Sequence, residues 1–246
     1  MEDKTLTIIE NRCVSPDVYL LTLNGDISLK GSGQFANLKL DNHYLRRPLS
    51  IHDYDDHSVS FLYKVLGQGT KELSEYPIGK TIDVLLPLGN GFDTSKSKKP
   101  LLIGGGIGIA PLYHLAKELV NQGKEVQIIL GFKTKSEVFY EEEFRRFGFV
   151  TILTDDGSYG EKGNPVSYLK SHEIDYDYYY ACGPSIMLKF LAQSFENGEV
   201  SLEARMGCGF GACMGCSIKT TKGNKRICKD GPVFASEEVF HESTAD

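Results

Sequence analysis

Four cysteines near the end of this 246-residue chain restrict its fold more than any other feature. They follow the spacing C-x4-C-x2-C…C: Cys208, Cys213, Cys216 and Cys228. Glycines alternate with the first three of them: Gly207, Gly209, Gly211 and Gly215. Because glycine tolerates the positive φ angles of a tightly turning chain, this segment is predicted to wrap around a metal group rather than form a helix or strand.

The stretch from Met206 to Cys216, called the cysteine loop below, has the spacing by which plant-type ferredoxins hold a [2Fe–2S] cluster through four thiolates. We therefore expect the four cysteines to be cluster ligands and the chain to transfer electrons. Structural zinc is an alternative, although its ligands normally form two short pairs on separate segments. Disulfides are a weaker alternative, since Met1–Thr5 has neither the charged nor the apolar region of a signal peptide.

The composition is that of a globular protein, with 41% apolar and 24% charged residues. A net charge of −6 argues against a nucleic-acid-binding surface. No apolar run approaches the roughly 20 residues that span a bilayer. These values predict a soluble cytoplasmic protein of two compact units or one large one.

The first part of the chain is typical of an antiparallel β-barrel or sandwich, because short apolar strands alternate with turns. The predicted strands are Thr5–Glu10, Val18–Leu23, Gln34–Leu40, Val59–Val65 and Thr81–Leu86. The polar stretch Asp93–Pro100 then predicts a domain linker.

From Leu101 onward the pattern changes to alternating strands and helices, which indicates a parallel sheet covered by helices. The predicted strands are Leu101–Ile103, Val126–Leu130, Val150–Thr154 and Tyr178–Ala181, and the predicted helices are Pro111–Gln122, Glu141–Phe147 and Ile186–Phe195. The expected fold class is thus multi-domain α+β. Its domains are a β-barrel (1–97), an α/β nucleotide-binding domain (98–200) and a small cluster domain (201–246).

A glycine-rich turn follows the first of these parallel strands, with Gly104, Gly105, Gly106 and Gly108 ahead of Pro111. Such a turn lets backbone amides and a helix N-terminus approach a pyrophosphate. A tight turn without a ligand is the alternative, and the fingerprint G-x-G-x-x-G is not met because Pro111 takes the place of its third glycine.

The nucleotide's identity is left open by the residues that follow the next strand. No acidic residue ends Val126–Phe132, and Lys133 and Lys135 come directly after it. Lysines there can meet the 2′-phosphate of NADP or simply be solvated. The residues alone do not separate NAD from NADP.

Arg46–Ile51 contains the motif Arg-Pro-Leu-Ser, in which an arginine can hold a phosphate bidentately, although basic pairs are commonly surface residues. Leu62–Lys64 can flank a planar ring, and Gly67–Thr70 can offer amides to a phosphate. Cys182–Pro184 follows a strand of the second domain, where Cys182 either approaches the nucleotide or is a small buried residue.

In order and spacing, these motifs resemble those of the ferredoxin–NADP reductase superfamily. With the cysteine loop, Leu202–Met206 and Asp230–Phe234, the whole chain resembles the family of electron-transfer subunits of NAD-dependent (class 1B) dihydroorotate dehydrogenases.

This resemblance implies FAD, a [2Fe–2S] cluster and NAD as electron acceptor. The implied FAD-binding residues are Arg47, Pro48, Leu49, Ser50, Leu62, Tyr63, Lys64, Gly69 and Thr70. The expected nucleotide-binding residues are Gly104, Gly105, Gly106, Gly108, Cys182, Gly183 and Pro184, and the implied cluster ligands are Cys208, Cys213, Cys216 and Cys228. The implied partner is an FMN-binding catalytic subunit that oxidises dihydroorotate in pyrimidine biosynthesis, in a heterotetramer with two copies of each subunit.

Chemistry supports this set of cofactors independently, because nicotinamide accepts a hydride whereas an iron–sulfur cluster passes single electrons. A flavin can do both, so it is expected between them. We expect no general acid or base in this chain, and substrate oxidation is expected in the partner. Met206, Phe210 and Met214 are the hypothesised docking surface for that partner.

Two other functions stay open. The first is another iron–sulfur flavoprotein reductase subunit that uses NADP(H) with a ferredoxin-like or sulfur-reducing partner. The second is a zinc-stabilised nucleotide-binding regulatory module without turnover.

Overall fold

Two seven-stranded sheets organise the chain, and a two-stranded hairpin completes it. The computed structural model describes residues 1–29 and 31–240. The last six residues of the expected cluster domain, 241–246, therefore lie outside the described residues. Within the described residues, no helix combines the length and the apolar character needed to cross a membrane.

The first sheet is antiparallel and has the strand order β4-β3-β7-β1-β2-β6-β5. Its elements are β1 (Glu2–Ser15), β2 (Val18–Asn24), β3 (Phe35–Leu38), β4 (Arg47–Ser50), β5 (Asp53–Tyr54), β6 (Ser58–Lys64), α1 (Gln68–Ser74) and β7 (Thr81–Leu88). The chain between β4 and β5 closes this sheet, because the Ile51 amide donates to Gln34 and the next amide, that of His52, donates to Ser60. The expected N-terminal barrel is thereby confirmed.

Two barrel elements differ from the sequence prediction. Strand β1 is far longer than Thr5–Glu10, because its ends continue to pair with β2 on one side and β7 on the other. The Arg-Pro-Leu-Ser motif forms strand β4, which the predicted strands did not include. Proline is tolerated there because β4 pairs only with β3, so the missing N–H interrupts no second ladder.

The second sheet has the order β11-β10-β9-β8-β12-β13-β16, parallel except for its last strand. Its strands are β8 (Pro100–Gly105), β9 (Val126–Phe132), β10 (Gly148–Thr154), β11 (Glu161–Lys162), β12 (Tyr178–Cys182), β13 (Gly198–Ser201) and β16 (Val233–Ala235). Its helices are α2 (Ala110–Asn121), α3 (Glu141–Arg145), α4 (Pro165–Ser171) and α5 (Ser185–Ser194). The expected parallel sheet with covering helices is confirmed. Helix α4 was not predicted.

Helix α2 joins the two sheets. It begins after the glycine-rich turn with Pro111 in its first turn, and Gly123 with a φ of 77° follows its end. One face buries Leu112, Leu115 and Leu119 in the core of the second domain. The other face meets the barrel, where Asp53 of β5 accepts hydrogen bonds from the side chains of α2.

The last segment leaves the second sheet after β13 and returns to it at β16. The expected boundary after residue 200 falls inside β13 (Gly198–Ser201). Between these strands lie the cysteine loop, a hairpin of β14 (Ser217–Thr220) and β15 (Gly223–Arg226), and the short helix α6 (Ile227–Asp230). This return places the cysteine-bearing segment beside both the barrel and the second sheet.

Candidate functional site

A cavity of about 240 Å³ lies at the edge of the barrel, where β4 and the end of β6 meet. Seven of the expected FAD-binding residues line it: Pro48, Leu49, Ser50, Leu62, Tyr63, Lys64 and Thr70. The second domain closes the opposite side with Gly108, Ala110, Pro111 and Cys182. The two domains therefore form this cavity together.

Arg47 and Gly69, the other two expected FAD-binding residues, pack against each other at the start of α1. A Cβ on Gly69 would overlap the guanidinium of Arg47, so only glycine lets this charge lie on the first turn of the helix. Among the described residues, the guanidinium donates only to the Leu45 carbonyl. Its remaining N–H groups fit the bidentate binding of a phosphate. Arg46, in contrast, pairs with Asp3 at 2.7 Å.

A second cavity, of about 650 Å³, lies at the carboxyl ends of the parallel strands. Five of the expected nucleotide-binding residues line it: Gly105, Gly106, Gly108, Gly183 and Pro184. The chain order reverses between the neighbouring strands β8 and β12, and ligands of open α/β sheets bind at such switch points. Gly104 lines neither cavity, since a Cβ there would meet Ile109 in the core.

The glycines also let the turns after β8 and β12 touch. A Cβ on Gly108 would lie 2.5 Å from the Cα of Gly183, which is closer than side chains come to backbone. The sequence pattern is thus explained by close backbone packing as well as by access to a ligand.

The two cavities adjoin each other, because they share four lining residues: Lys64, Ile107, Gly108 and Glu203. Cys182 lines the first cavity with a buried side chain, and burial raises the pKa of its thiol to about 12. The pKa of Glu203 is raised by the protein that surrounds it, although its side chain borders the open cleft and contacts solvent. A neutral thiol and a carboxyl group thus border the junction of the two cavities.

The residues beyond β9 and β10 fall into two groups. Lys133, Glu137 and Asp155 line the second cavity. Lys135 instead lies over the ring of Tyr159, and Asp156 accepts hydrogen bonds from Ser158 in a turn. The cavity wall there carries two carboxylates and one ammonium group.

The four cysteines of the C-terminal segment form two pairs. Cys208 and Cys213 each accept a hydrogen bond at sulfur from the other's backbone amide, at 3.4 Å. The sulfurs of Cys216 and Cys228 lie 3.2 Å apart. In the described residues no three such ligands surround a single point, as one metal ion would require. Two pairs of thiols fit a binuclear cluster in which each iron takes two thiolates.

In the pair of Cys208 and Cys213, backbone amides favour the thiolate form of Cys208. Burial opposes a charge on Cys208, but hydrogen bonds from the amides of Cys213, Phe210 and Ala212 outweigh it and lower the pKa of the thiol to about 6. Metal binding requires the thiolate. Burial and the neighbouring Cys216 sulfur raise the pKa of Cys228 to about 12, a penalty that a cation between the sulfurs removes.

The loop glycines have two roles, which the sequence does not distinguish. Gly209 and Gly211 have positive φ angles of 78° and 93°, as expected. Gly207 and Gly215 do not, and they lie beside the Cys213 sulfur instead. Met214 supplies a further positive φ, of 60°.

Two side chains that the sequence analysis did not single out hold the cysteine loop. Arg226 donates to the Gly211 carbonyl at 2.9 Å and pairs with Asp230 at 3.2 Å. Asn37 of β3 donates to the Cys208 carbonyl at 3.2 Å. The only sequence signal for Asn37 is an amide inside an apolar strand.

Of the three residues in the hypothesised docking surface, two are exposed and one lines a cavity. Phe210 and Met214 are 45% and 55% exposed. Met206 is half-buried and lines the first cavity, so it faces the interior. Ala204 and Met206 connect the wall of that cavity directly to the cysteine loop.

Comparison with known proteins identifies two domains of this chain. Residues 203–240 match the family model described as the iron–sulfur cluster binding domain of dihydroorotate dehydrogenase B, and residues 102–193 match an oxidoreductase NAD-binding domain. Among solved structures, that of an NADH-dependent reduced ferredoxin–NADP oxidoreductase has 32% identity and a TM-score of 0.86, covering 95% of this chain and 88% of that one. Phthalate dioxygenase reductase shares the fold at 17% identity and a TM-score of 0.69, over 83% of this chain and 70% of that one.

Curated relatives match almost the whole chain. The electron transfer subunit of dihydroorotate dehydrogenase B (NAD(+)) from Bacillus pumilus is 42% identical, covering 97% of this chain and 98% of that protein. The subunit of the same name from Fusobacterium nucleatum is 41% identical, covering 97% and 99%. Identity at this level over the full length shows that the chain belongs to the family of electron transfer subunits of dihydroorotate dehydrogenase B.

Proposed function

We propose that this chain passes electrons from a catalytic dihydroorotate dehydrogenase subunit to NAD⁺. In this proposal dihydroorotate loses two electrons and two protons in the partner to give orotate. A [2Fe–2S] cluster held by the four cysteines would carry the electrons one at a time, and FAD in the barrel cavity would collect them and supply a hydride to NAD⁺. One proton is released overall. The reaction belongs to pyrimidine biosynthesis, and the location expected from the sequence is the cytoplasm.

The observation that carries this proposal is the alignment of three sites along one cleft. The barrel cavity adjoins the nucleotide cavity at the residues they share, and Met206 of the cysteine loop also lines it. A group in the barrel cavity would thus lie between a bound nucleotide and the loop. A flavin is the cofactor that joins hydride transfer to single-electron transfer.

The residues fit these groups. We propose that Arg47–Ser50, Leu62–Lys64, Gly69 and Thr70 hold FAD, with Arg47 at its phosphates. Gly104–Gly106, Gly108 and Cys182–Pro184 form the nucleotide side, where Gly104 acts by packing. Cys208, Cys213, Cys216 and Cys228 are proposed as the cluster ligands.

We propose NAD rather than NADP as the acceptor. Glu137 and Asp155 give the cavity wall beside β9 and β10 more negative than positive charge, against Lys133 alone. A 2′-phosphate would add like charge to that wall, which costs binding free energy. The dihydroorotate dehydrogenase B relatives carry NAD(+) in their names, and the solved relative at 32% identity is described as NADH-dependent, which supports the same choice.

The partner in this proposal is an FMN-binding catalytic subunit, in a complex with two copies of each chain. No general acid or base for dihydroorotate is assigned to this chain. The cysteine loop, with exposed Phe210 and Met214, is the proposed contact.

Spectroscopy and a coupled assay test the function. Anaerobically purified protein should show flavin absorption together with broad iron–sulfur absorption, and NADH should reduce the flavin faster than NADPH in stopped-flow measurements. With the catalytic subunit added, dihydroorotate should reduce NAD⁺. A colourless protein would contradict the proposal, and reduction by NADPH alone would favour the alternative reductase.

A further inference from the structure

A single buried amide connects the barrel to a cluster ligand. Asn37 is only 2% exposed, and its Nδ2 donates to the backbone carbonyl of Cys208 at 3.2 Å across 171 positions of sequence. Its Oδ1 is buried and accepts no hydrogen bond from the described residues. A leucine would fill this apolar strand without that unpaired acceptor, so the amide contributes chiefly through its bond to Cys208.

On the loop side, this contact leaves no room for a side chain at residue 209. Gly209 follows Cys208 with a φ of 78°, and a Cβ on it would overlap the Asn37 amide. The backbone of the cysteine loop therefore lies directly on the end of the Asn37 side chain. This close approach needs glycine both for its conformation and for its lack of a side chain.

Asn37 also lies on a strand, β3, that contributes to the wall of the proposed flavin site. In the ladder of β3 and β4 it lies opposite Pro48, and Phe35 of the same strand lies opposite Ser50. Phe35, Pro48 and Ser50 all line the barrel cavity. One short strand thus contacts the proposed flavin cavity and the first cluster ligand.

We propose that Asn37 is a positioning residue for electron transfer: it fixes the Cys208 end of the cysteine loop to the strand that faces the flavin. This inference rests on the proposed function. Asn37 touches neither the reacting atoms nor a metal ligand's sulfur, and it acts through the backbone of Cys208. Partners of this kind, one step removed from the metal, typically change affinity or activity by about 10- to 100-fold when they are lost.

The test separates two electron-transfer steps in one experiment. Protein fully reduced by dithionite holds two electrons on the flavin and one on the cluster. When it is mixed with NAD⁺, the flavin gives its two electrons as a hydride, and the cluster then passes its one electron to the oxidised flavin. Stopped-flow absorption and freeze-quench electron paramagnetic resonance follow the two phases.

In Asn37→Leu the flavin phase should match that of the unaltered protein, and the cluster phase should be about 10-fold slower. The resonance spectrum of the reduced cluster should also shift. Asn37→Ala removes the same hydrogen bond with a smaller side chain, and it decides the question if Asn37→Leu does not fold.

Asn90→Ala is the matched control. Asn90 also joins the barrel to the C-terminal segment, through hydrogen bonds with Asp230 and Val233, but it contacts no cysteine. Its cluster phase should remain unchanged. The inference is overturned if Asn37→Leu keeps the original cluster phase, or if Asn90→Ala slows it equally. Absence of flavin or cluster from the unaltered protein would instead overturn the proposed function.

Discussion

Because Arg47 packs closely on Gly69, a single methyl group added at residue 69 should disturb the proposed flavin site. The helix that carries Gly69 can accept alanine, since the φ of residue 69 is ordinary and alanine favours helix by about 1 kcal/mol over glycine. The added Cβ would, however, displace the guanidinium. The substitution therefore separates binding from folding.

Gly69→Ala should weaken FAD binding by about 10-fold or more, the equivalent of one charge-assisted hydrogen bond. The stability of the apoprotein should not fall. Flavin fluorescence during titration of the apoprotein gives the affinity, and Gly67→Ala is the control because a Cβ there meets nothing within 4 Å. Equal affinities in the two variants would contradict the role of Arg47.

Arg226 anchors the cysteine loop at Gly211, as Asn37 anchors it at Cys208. Its guanidinium bridges the Gly211 carbonyl and Asp230, which lies two residues after Cys228. We expect Arg226→Met to increase the rate of cluster loss about 10-fold, since the loop then loses its charged anchor.

Iron and sulfide content, measured over time in air, tests this expectation. Lys222→Ala is a suitable control because Lys222 also forms an ion pair, with Glu238 at 3.4 Å, but is exposed and contacts no cysteine. Equal rates of iron loss in both variants would show that Arg226 does not anchor the loop.

At the scale of elements, the contact of helix α2 with the barrel depends on protonation. His52 is buried beside this helix, and its Nδ1 donates to the Ala110 carbonyl at 3.0 Å. Burial lowers its pKa to about 4. Nearby, Asp53 is also affected by burial, but hydrogen bonds from His114 and Lys117 outweigh that effect and lower the pKa of its carboxyl.

Acid should therefore weaken this contact. The unfolded chain protonates His52 near pH 6.5, whereas the folded chain keeps it neutral down to about pH 4, so the unfolded state binds more protons in that window. The free energy of unfolding should fall as the pH drops from 6.5 to 4, by up to about 3 kcal/mol from His52. Asp53 adds to the loss once the pH passes below the usual pKa of a carboxyl.

Denaturant unfolding at pH 7.5 and pH 5 measures this loss. His52→Gln keeps an N–H donor without a titrating ring, so its stability should depend less on pH. His57→Gln, at an exposed position, should retain the full dependence. An unchanged dependence in His52→Gln would contradict the assignment.

Sequence reasoning succeeded where the signal is local. The alternation of short strands and the glycine turn before Pro111 predicted the central strands of both sheets and helix α2, but not the edge strands β4, β5, β11 and β16 or strand β13. Helix α1 was missed because Gly67 and Gly69 are poor helix formers. Tertiary contacts stabilise it instead: the Asn11 side chain donates to the carbonyls of Leu73 and Tyr76 at its end.

The candidate site, too, could be predicted from the sequence only where its residues are close together in the chain. The cysteine spacing predicts its own loop, because all the information lies within 21 positions. The bond from Asn37 to Cys208 joins positions 171 residues apart. Nothing in either segment identifies the other as its neighbour, and they meet in the fold where the chain leaves β13 and returns to the second sheet at β16.

Docking of the partner is the prediction that belongs to the whole molecule. Phe210 and Met214 are exposed on the cysteine loop, and they line neither the barrel cavity nor the cavity at the ends of the parallel strands. In the proposed function electrons from a partner enter through the cluster, so apolar side chains around it are well placed to exclude water from that contact.

Phe210→Ser with Met214→Ser should abolish the complex with the catalytic subunit or weaken it at least about 10-fold, since buried apolar anchors each contribute more than about 1 kcal/mol. NADH should still reduce the flavin of the variant at the original rate. Gel filtration and calorimetry measure assembly. Phe149→Ser is the control, because Phe149 is 71% exposed at the amino end of β10, away from the cysteine loop. A complex that survives the double substitution would place the partner on another face and would require electrons to reach the cluster without contact at Phe210 and Met214.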